Sequence, residues 1–278
     1  MGKVIPVNTI VIARYREDLE WIAEIPDEFE IFLYNKGNPI TSPVVIARAD
    51  HIIDRPNVGR ESETYLHHML TQRSRTHDFT VFAQGDPFEH SPDFLRLLKG
   101  WRDWSDLQPL TWQWRSDKNI PPASILDDFA QQHLAGRPRV RPERFSLFTW
   151  GPLDFLDVGA LQASVDYRYV HGDLPDGLNV AAHFLYMCGM HELAEEASEY
   201  TVGNFTYGAV YACRNHIVAQ LPQRPLEIML HLSKGHPVHG YILERLWLHL
   251  LGARFETPRI PALSVRQPAL DHTLLKVA

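Results

Sequence analysis

The sequence predicts an α/β domain, with a mixed, mainly parallel sheet flanked by helices. Three observations point there. Apolar runs with strand character recur at residues 8–13, 29–34 and 79–83. Segments with helical spacing separate them, at 17–22 and 61–70. The run at 79–83, with Phe79, Val81, Phe82 and Ala83 apolar, fits a strand buried on both faces of a parallel sheet.

Each element can be justified in turn. Residues 8–13 contain the β-branched run Ile10, Val11 and Ile12, and 17–22 then reads as a helix. Pro26 and Asp27 break the chain before the second strand, which stops at the turn residues Asn35, Lys36, Gly37, Asn38 and Pro39. A loop and a short strand at 44–47 come next. In 61–70 the apolar residues Tyr65, Leu66, Met69 and Leu70 keep helical spacing. After the strand at 79–83, Ser91, Pro92 and Asp93 mark a helix start, with a capping hydroxyl and a proline in the first turn. Residues 109–145 hold several prolines and the basic run 137–144. They read as a surface excursion carrying little core, with Trp112 and Trp114 on one face of a strand. A strand-like run at 209–212 and helices at about 223–233 and 239–251 complete the pattern. No linker divides the chain, so residues 1–278 are expected to form a single domain whose second half extends the same sheet.

Composition narrows the function. The 278 residues carry a formal charge of −7, which disfavours a general nucleic-acid-binding surface. Two cysteines, Cys188 and Cys213, give neither a disulfide framework nor a CxxC pair, and read as buried reduced thiols. The amino-terminal residues lack a targeting pattern and no apolar stretch is long enough to span a bilayer, so a cytoplasmic location without a membrane span is expected. No HExxH, GxSxG, Walker or GxGxxG signature is present.

In a parallel α/β sheet, ligands bind outside the carboxyl ends of the strands. Polar residues stand at four such places: Arg14 and Tyr15, Asn35 and Lys36, Asn57 to Glu61, and Gln84 to His90. Asn57, Gly59 and Arg60 put a glycine and a cation where a helix begins, a place that favours an anion such as phosphate. Arg14 and Lys36 add positive charge, and Tyr15 offers an aromatic face for a base. Asp86, held between Gly85 and Pro87 at the end of an apolar strand, faces the cleft in this reading and, with His90, can hold a divalent metal, Mg²⁺ or Mn²⁺. Glu244 flanks the apolar face of the helix at 239–251, while Arg245 is expected to point away from that face. With no cation among its helical neighbours, Glu244 is expected to accept a proton near neutrality. His67 and His68 read as boundary residues of their helix.

These residues resemble a bacterial and fungal family catalogued as a domain of unknown function. The matching segments include Ala13-Arg14-Tyr15, Asn57-Val58-Gly59-Arg60-Glu61, Tyr65-Leu66-His67-His68, Gln84-Gly85-Asp86-Pro87-Phe88, Tyr207-Gly208-Ala209 and Leu243-Glu244-Arg245-Leu246-Trp247. A more distant likeness is to glycosyltransferases of the A-type fold, in which an Asn-x-Gly helix precedes a strand ending in the metal-binding Asp. The second strand here ends in Asn35-Lys36 where those enzymes often carry an Asp, and Asp86 lacks a second carboxylate beside it.

That likeness implies a glycosyltransferase-like enzyme, with a donor-binding half at 1–108 and an acceptor-side half at 109–278. Arg14, Tyr15, Asn35, Lys36, Asn57, Gly59, Arg60 and Gln84 would hold a nucleotide-activated donor. Asp86 and His90 would anchor the metal, and Glu244 would deprotonate a small-molecule or peptide acceptor. Two alternatives remain open: a metal-dependent hydrolase or other group transferase using Asp86, His90 and one of His67 or His68, and a non-catalytic ligand-binding module.

Overall fold

The computed structural model describes residues 6–73, 77–111 and 140–258. Six strands form the main sheet in the order β3-β2-β1-β4-β8-β5: β1 (Asn8–Arg14), β2 (Phe29–Asn35), β3 (His51–Asp54), β4 (Phe79–Gln84), β5 (Leu107–Pro109) and β8 (Tyr211–Arg214). β1 pairs in parallel with β2 and β4, and β2 with β3. β8 runs antiparallel to both β4 and β5. The sheet is therefore mixed and mainly parallel, and residues of the second half extend it.

Strand alternation divides the core into two layers. Ile10 and Ile12 of β1, with Ile31, Leu33, Val81 and Ala83, pack towards Ile22 and α3 (Phe94–Lys99). Val11, Phe32, Tyr34 and Phe82 face the opposite side, where they meet α2 (Arg60–Thr71), α8 (Gln223–Gly235) and α9 (Val238–Leu250). A second, antiparallel sheet joins β6 (Glu143–Ser146), β7 (Tyr200–Phe205) and β9 (Glu256–Pro258), and Phe145 and Phe205 carry its core into the same layer. α4 (Val158–Val170), α5 (Val180–Met187), α6 (His191–Ser198) and α7 (Asn215–Gln220) complete the helices used below. Among the described residues no helix is long and apolar enough to cross a membrane.

Several expectations need correction. Residues 44–47 are not a strand but part of α1 (Pro43–Arg48), because the Ser42 hydroxyl accepts from Val45 N–H and Pro43 occupies the first helical position. The third strand lies just beyond, at His51–Asp54. The helix at 17–22 shrinks to a 3-10 turn at Glu20–Glu24. The strand at 209–212 begins two residues later, after a 3-10 turn at Tyr207–Ala209 in which Gly208 adopts φ 65°. The ends of the 109–145 excursion do carry core, since Leu110 and Phe145 are fully buried. Trp112 and Trp114 lie outside the described residues. Cys188 and Cys213 are free and buried, as expected.

Candidate cleft at the sheet's switch point

The chain leaves β1 to build β2 and β3 on one side, then returns to place β4 on the other. Connections that diverge in this way leave a crevice at the strands' carboxyl ends. A cavity of about 280 Å³ opens there, lined by Ala13, Arg14, Tyr15, Glu17, Lys36, Asn57, Arg60, Glu61 and Gln84. A neighbouring cavity of about 260 Å³ shares Arg60 and Gln84 with it and adds Glu89, His90, Asp157, Tyr207, Gly208, Tyr241, Glu244 and Arg245. Arg60 and Gln84 thus stand where two halves of one cleft meet.

The start of α2 shapes the first half. Gly59 is the N-cap residue, and it sits in the left-handed region at φ 63°. A Cβ on Gly59 would lie 2.7 Å from Glu63 Cβ and 2.8 Å from Ser233 O, so both the dihedral and the packing require glycine. Asn57 is exposed on the cleft wall. Arg60 follows with φ 51°, its guanidinium 4.3 Å from the centroid of the Tyr241 ring and its Nε 3.6 Å from Glu61 Oε2. The Arg60 side chain is 41% exposed, which leaves its outer nitrogens open to the cleft.

Other cations expected to meet a ligand are already committed. Lys36 is buried and spends its ammonium on Val58 O, Arg60 O and Glu63 Oε2, at 3.0 Å from the last. Burial pulls Lys36 below the ordinary lysine range, although Glu63 and Glu61 oppose the shift. Burial alone would raise Glu63, but Arg55 and Lys36 beside it outweigh this and hold its carboxyl low. Lys36 therefore clamps the 58–60 loop rather than reaching for phosphate. Arg14 donates to Asn35 Oδ1 and Asn38 O, each at 2.7 Å, while Asn35 donates to Asp54 Oδ1 at 2.9 Å. Arg14 and Asn35 thus brace the rim. Tyr15 is exposed beside them, its backbone N–H held by Glu17 Oε2 at 2.6 Å.

In the second half, Glu244 is half-buried and accepts from Gly208 N–H at 3.1 Å. Arg245 does not turn away into solvent. It is 1% exposed, bonds Asp157 at 2.7 Å, lies over the Phe205 ring and comes within 3.7 Å of Glu244 Oε2. α9 is buried on almost every side, so no face of it is free to expose that charge. Asp157 also caps α4 by accepting from Ala160 N–H at 3.0 Å.

Asp86 departs from expectation. Its carboxylate is exposed, accepts from Phe88 N–H at 3.1 Å, and is not among the lining residues of either half. It shapes the turn that sends Glu89 and His90 into the cleft. His90 packs edge-on against Tyr207, and its Nδ1 is buried without a partner. Among the described residues no group of three or more His, Cys, Asp or Glu side chains is arranged to hold a metal ion. One exposed carboxylate engaged in its own turn and one imidazole do not fit a protein-held Mg²⁺ or Mn²⁺ site, which wants several oxygen ligands. His67 and His68 line neither half. His68 is bonded to the Tyr34 hydroxyl at 2.9 Å, and His67 meets the Tyr34 ring.

Sequence reasoning placed Glu61 at the cleft only as the end of the 57–61 segment and gave it no role. It is 7% exposed, and burial pushes its carboxyl up; Arg60 opposes that shift and Glu244 adds to it. Its signal was an acidic residue in the first turn of a helix that already carried a second one, Glu63. Asp157, Tyr207 and Tyr241 come to the cleft through long-range packing. Comparison with protein-family models, curated proteins and solved structures gave no match.

Proposed function

We propose that the cleft binds a nucleotide-activated donor and transfers its group to a small-molecule or peptide acceptor, as a glycosyltransferase-like enzyme does. One observation carries this reading: a two-part cleft at the switch point of the sheet, joined through Arg60 and Gln84, with the part-exposed Arg60 guanidinium at its centre and Glu244 in the second part. Tyr15 supplies a flat face for the base. Arg60 and the first turn of α2 meet the diphosphate.

In the transfer, the acceptor's oxygen or nitrogen forms a bond to the donor carbon as that carbon's bond to the phosphate oxygen breaks. The acceptor proton passes to the Glu244 carboxylate, and the electron pair leaves with the diphosphate. The charge developing on that phosphate is offset by Arg60, and no step is assigned to a metal.

A thermal-shift screen of nucleoside diphosphates and nucleotide sugars tests the reading, because a ligand of the native state raises apparent stability. Binding with turnover that is lost in Glu244→Gln supports it. Binding without turnover of any nucleotide sugar favours a non-catalytic module, and no shift with any nucleotide defeats the reading.

A further inference from the structure

Arg60 and Glu61 open α2 side by side, and both line the first half of the cleft. A helix start suits an anion, yet here it carries a carboxylate that is 93% withdrawn from solvent, being 7% exposed. Glu61 Oε1 is buried with no hydrogen-bond partner, and its nearest cation is Arg60 Nε, 3.6 Å from Oε2. One turn along, the Tyr65 hydroxyl is also buried and unpartnered, as are the Tyr211 hydroxyl and Trp247 Nε1. The three rings lie 5.9–6.2 Å apart. An ionised carboxylate oxygen buried with no donor is costly, and protonation removes the charge that would have to be kept there.

We infer that Glu61 is a neutral carboxylic acid in the ligand-free cleft, and that its ionisation opposes binding of a diphosphate at the start of α2. This deepens the nucleotide-donor reading and rests on it. The charges facing Glu61 come from every side of the cleft. Arg60 on its own helix, the Glu61 backbone N–H and Lys36 after β2 favour the carboxylate, but Lys36 is held by Glu63. Glu244 on α9 favours the acid, as burial does. Tyr65 on α2, Tyr211 on β8 and Tyr241 on α9 are uncharged, and Arg14 and Glu17 stand on the β1 side of the cleft. The net shift is upward. An arriving diphosphate adds negative charge to the same place and so favours the protonated form further. Where Glu61 is partly ionised, binding therefore takes up a proton.

Two measurements test this. Infrared difference spectra of ligand-free protein, titrated through neutral pH, should contain a protonated-carboxyl C=O band that Glu61→Gln removes. The band is read on wild-type protein, so the result stands even if the variant folds poorly, and its absence at neutral pH overturns the inference. Calorimetric titration with inorganic pyrophosphate and with nucleoside diphosphates should give a wild-type affinity that falls with rising pH. Relative to Glu61→Gln, which cancels the probe's own titration, the loss approaches about tenfold per pH unit above the Glu61 pKa. Parallel pH profiles in wild type and Glu61→Gln overturn the coupling and leave the nucleotide reading standing. No binding by either protein at any pH overturns both.

Discussion

Removing the Asp157 carboxylate isolates the Arg245 guanidinium inside the protein, and the cost can be worked from the contacts. Arg245 is 1% exposed and bonds Asp157 Oδ2 at 2.7 Å, while Asp157 Oδ1 caps α4. Taking one partner from a buried ion pair costs about 3–5 kcal/mol, because the other charge stays buried. Losing an Asp cap adds about 1 kcal/mol. Glu244, 3.7 Å from Arg245, remains to share the charge, which brings Asp157→Ala to about 4 kcal/mol. Asp157→Asn keeps an oxygen for the cap and loses only the charge, at about 2–3 kcal/mol. Arg245→Met removes the buried cation itself but leaves Asp157 and Glu244, 18% and 12% exposed, without it, so an intermediate cost of about 2–3 kcal/mol is expected. Urea unfolding followed by tryptophan fluorescence measures all three against a total stability of about 5–15 kcal/mol. If Arg245→Met costs as much as Asp157→Ala, the reasoning about an isolated buried charge is wrong.

Three further outcomes are expected. Gly59→Ala meets a left-handed dihedral and Cβ contacts under 3.0 Å, so a loss of at least about 2 kcal/mol in chemical denaturation is expected; a loss under about 0.5 kcal/mol would show that the 58–60 loop relaxes freely. His249 is pulled down to about 4 by burial, while Asn204 N–H donates to its Nε2 at 2.8 Å. The unfolded imidazole titrates near 6.5, so the unfolded chain binds more protons between those values. Stability is then full above about pH 6.5 and falls by up to roughly 3 kcal/mol as pH drops towards 4. Urea midpoints across that range should show the decline, and His249→Gln should remove part of it; a flat wild-type profile contradicts the burial argument. Burial also pushes the Cys188 thiol up to about 12, so a thiol reagent should label it only as fast as the native state opens; rapid stoichiometric labelling would contradict that.

The first half of the fold was largely legible because its signals are local. The runs at 8–13, 29–34 and 79–83 are buried strands whose polar ends meet at the cleft, and helix spacing placed α2. The misreading at 44–47 came from weighing β-branched residues above a capping serine and a proline. Ile46 is 52% exposed, so those branched side chains were not the mark of a buried strand. Lys36 and Asn35 were found near the cleft, but their partners Glu63 and Asp54 lie on other elements and no local pattern pairs them. Arg245 shows the same limit. A helical wheel assigns faces from one helix alone and cannot see that Asp157, 88 residues earlier, covers the charge. Asp86 looked like a cleft carboxylate, yet an Asx turn to Phe88 N–H meets its hydrogen-bonding need at the surface.

Nucleotide binding is proposed at one place, the meeting of β1, β4 and the start of α2. A co-crystal structure with a bound nucleoside diphosphate tests it most directly. The diphosphate is expected within hydrogen-bonding distance of the Arg60 guanidinium and the first turn of α2, with the base against Tyr15. Density for the nucleotide elsewhere, such as the groove between Leu19 and Val45, would contradict it.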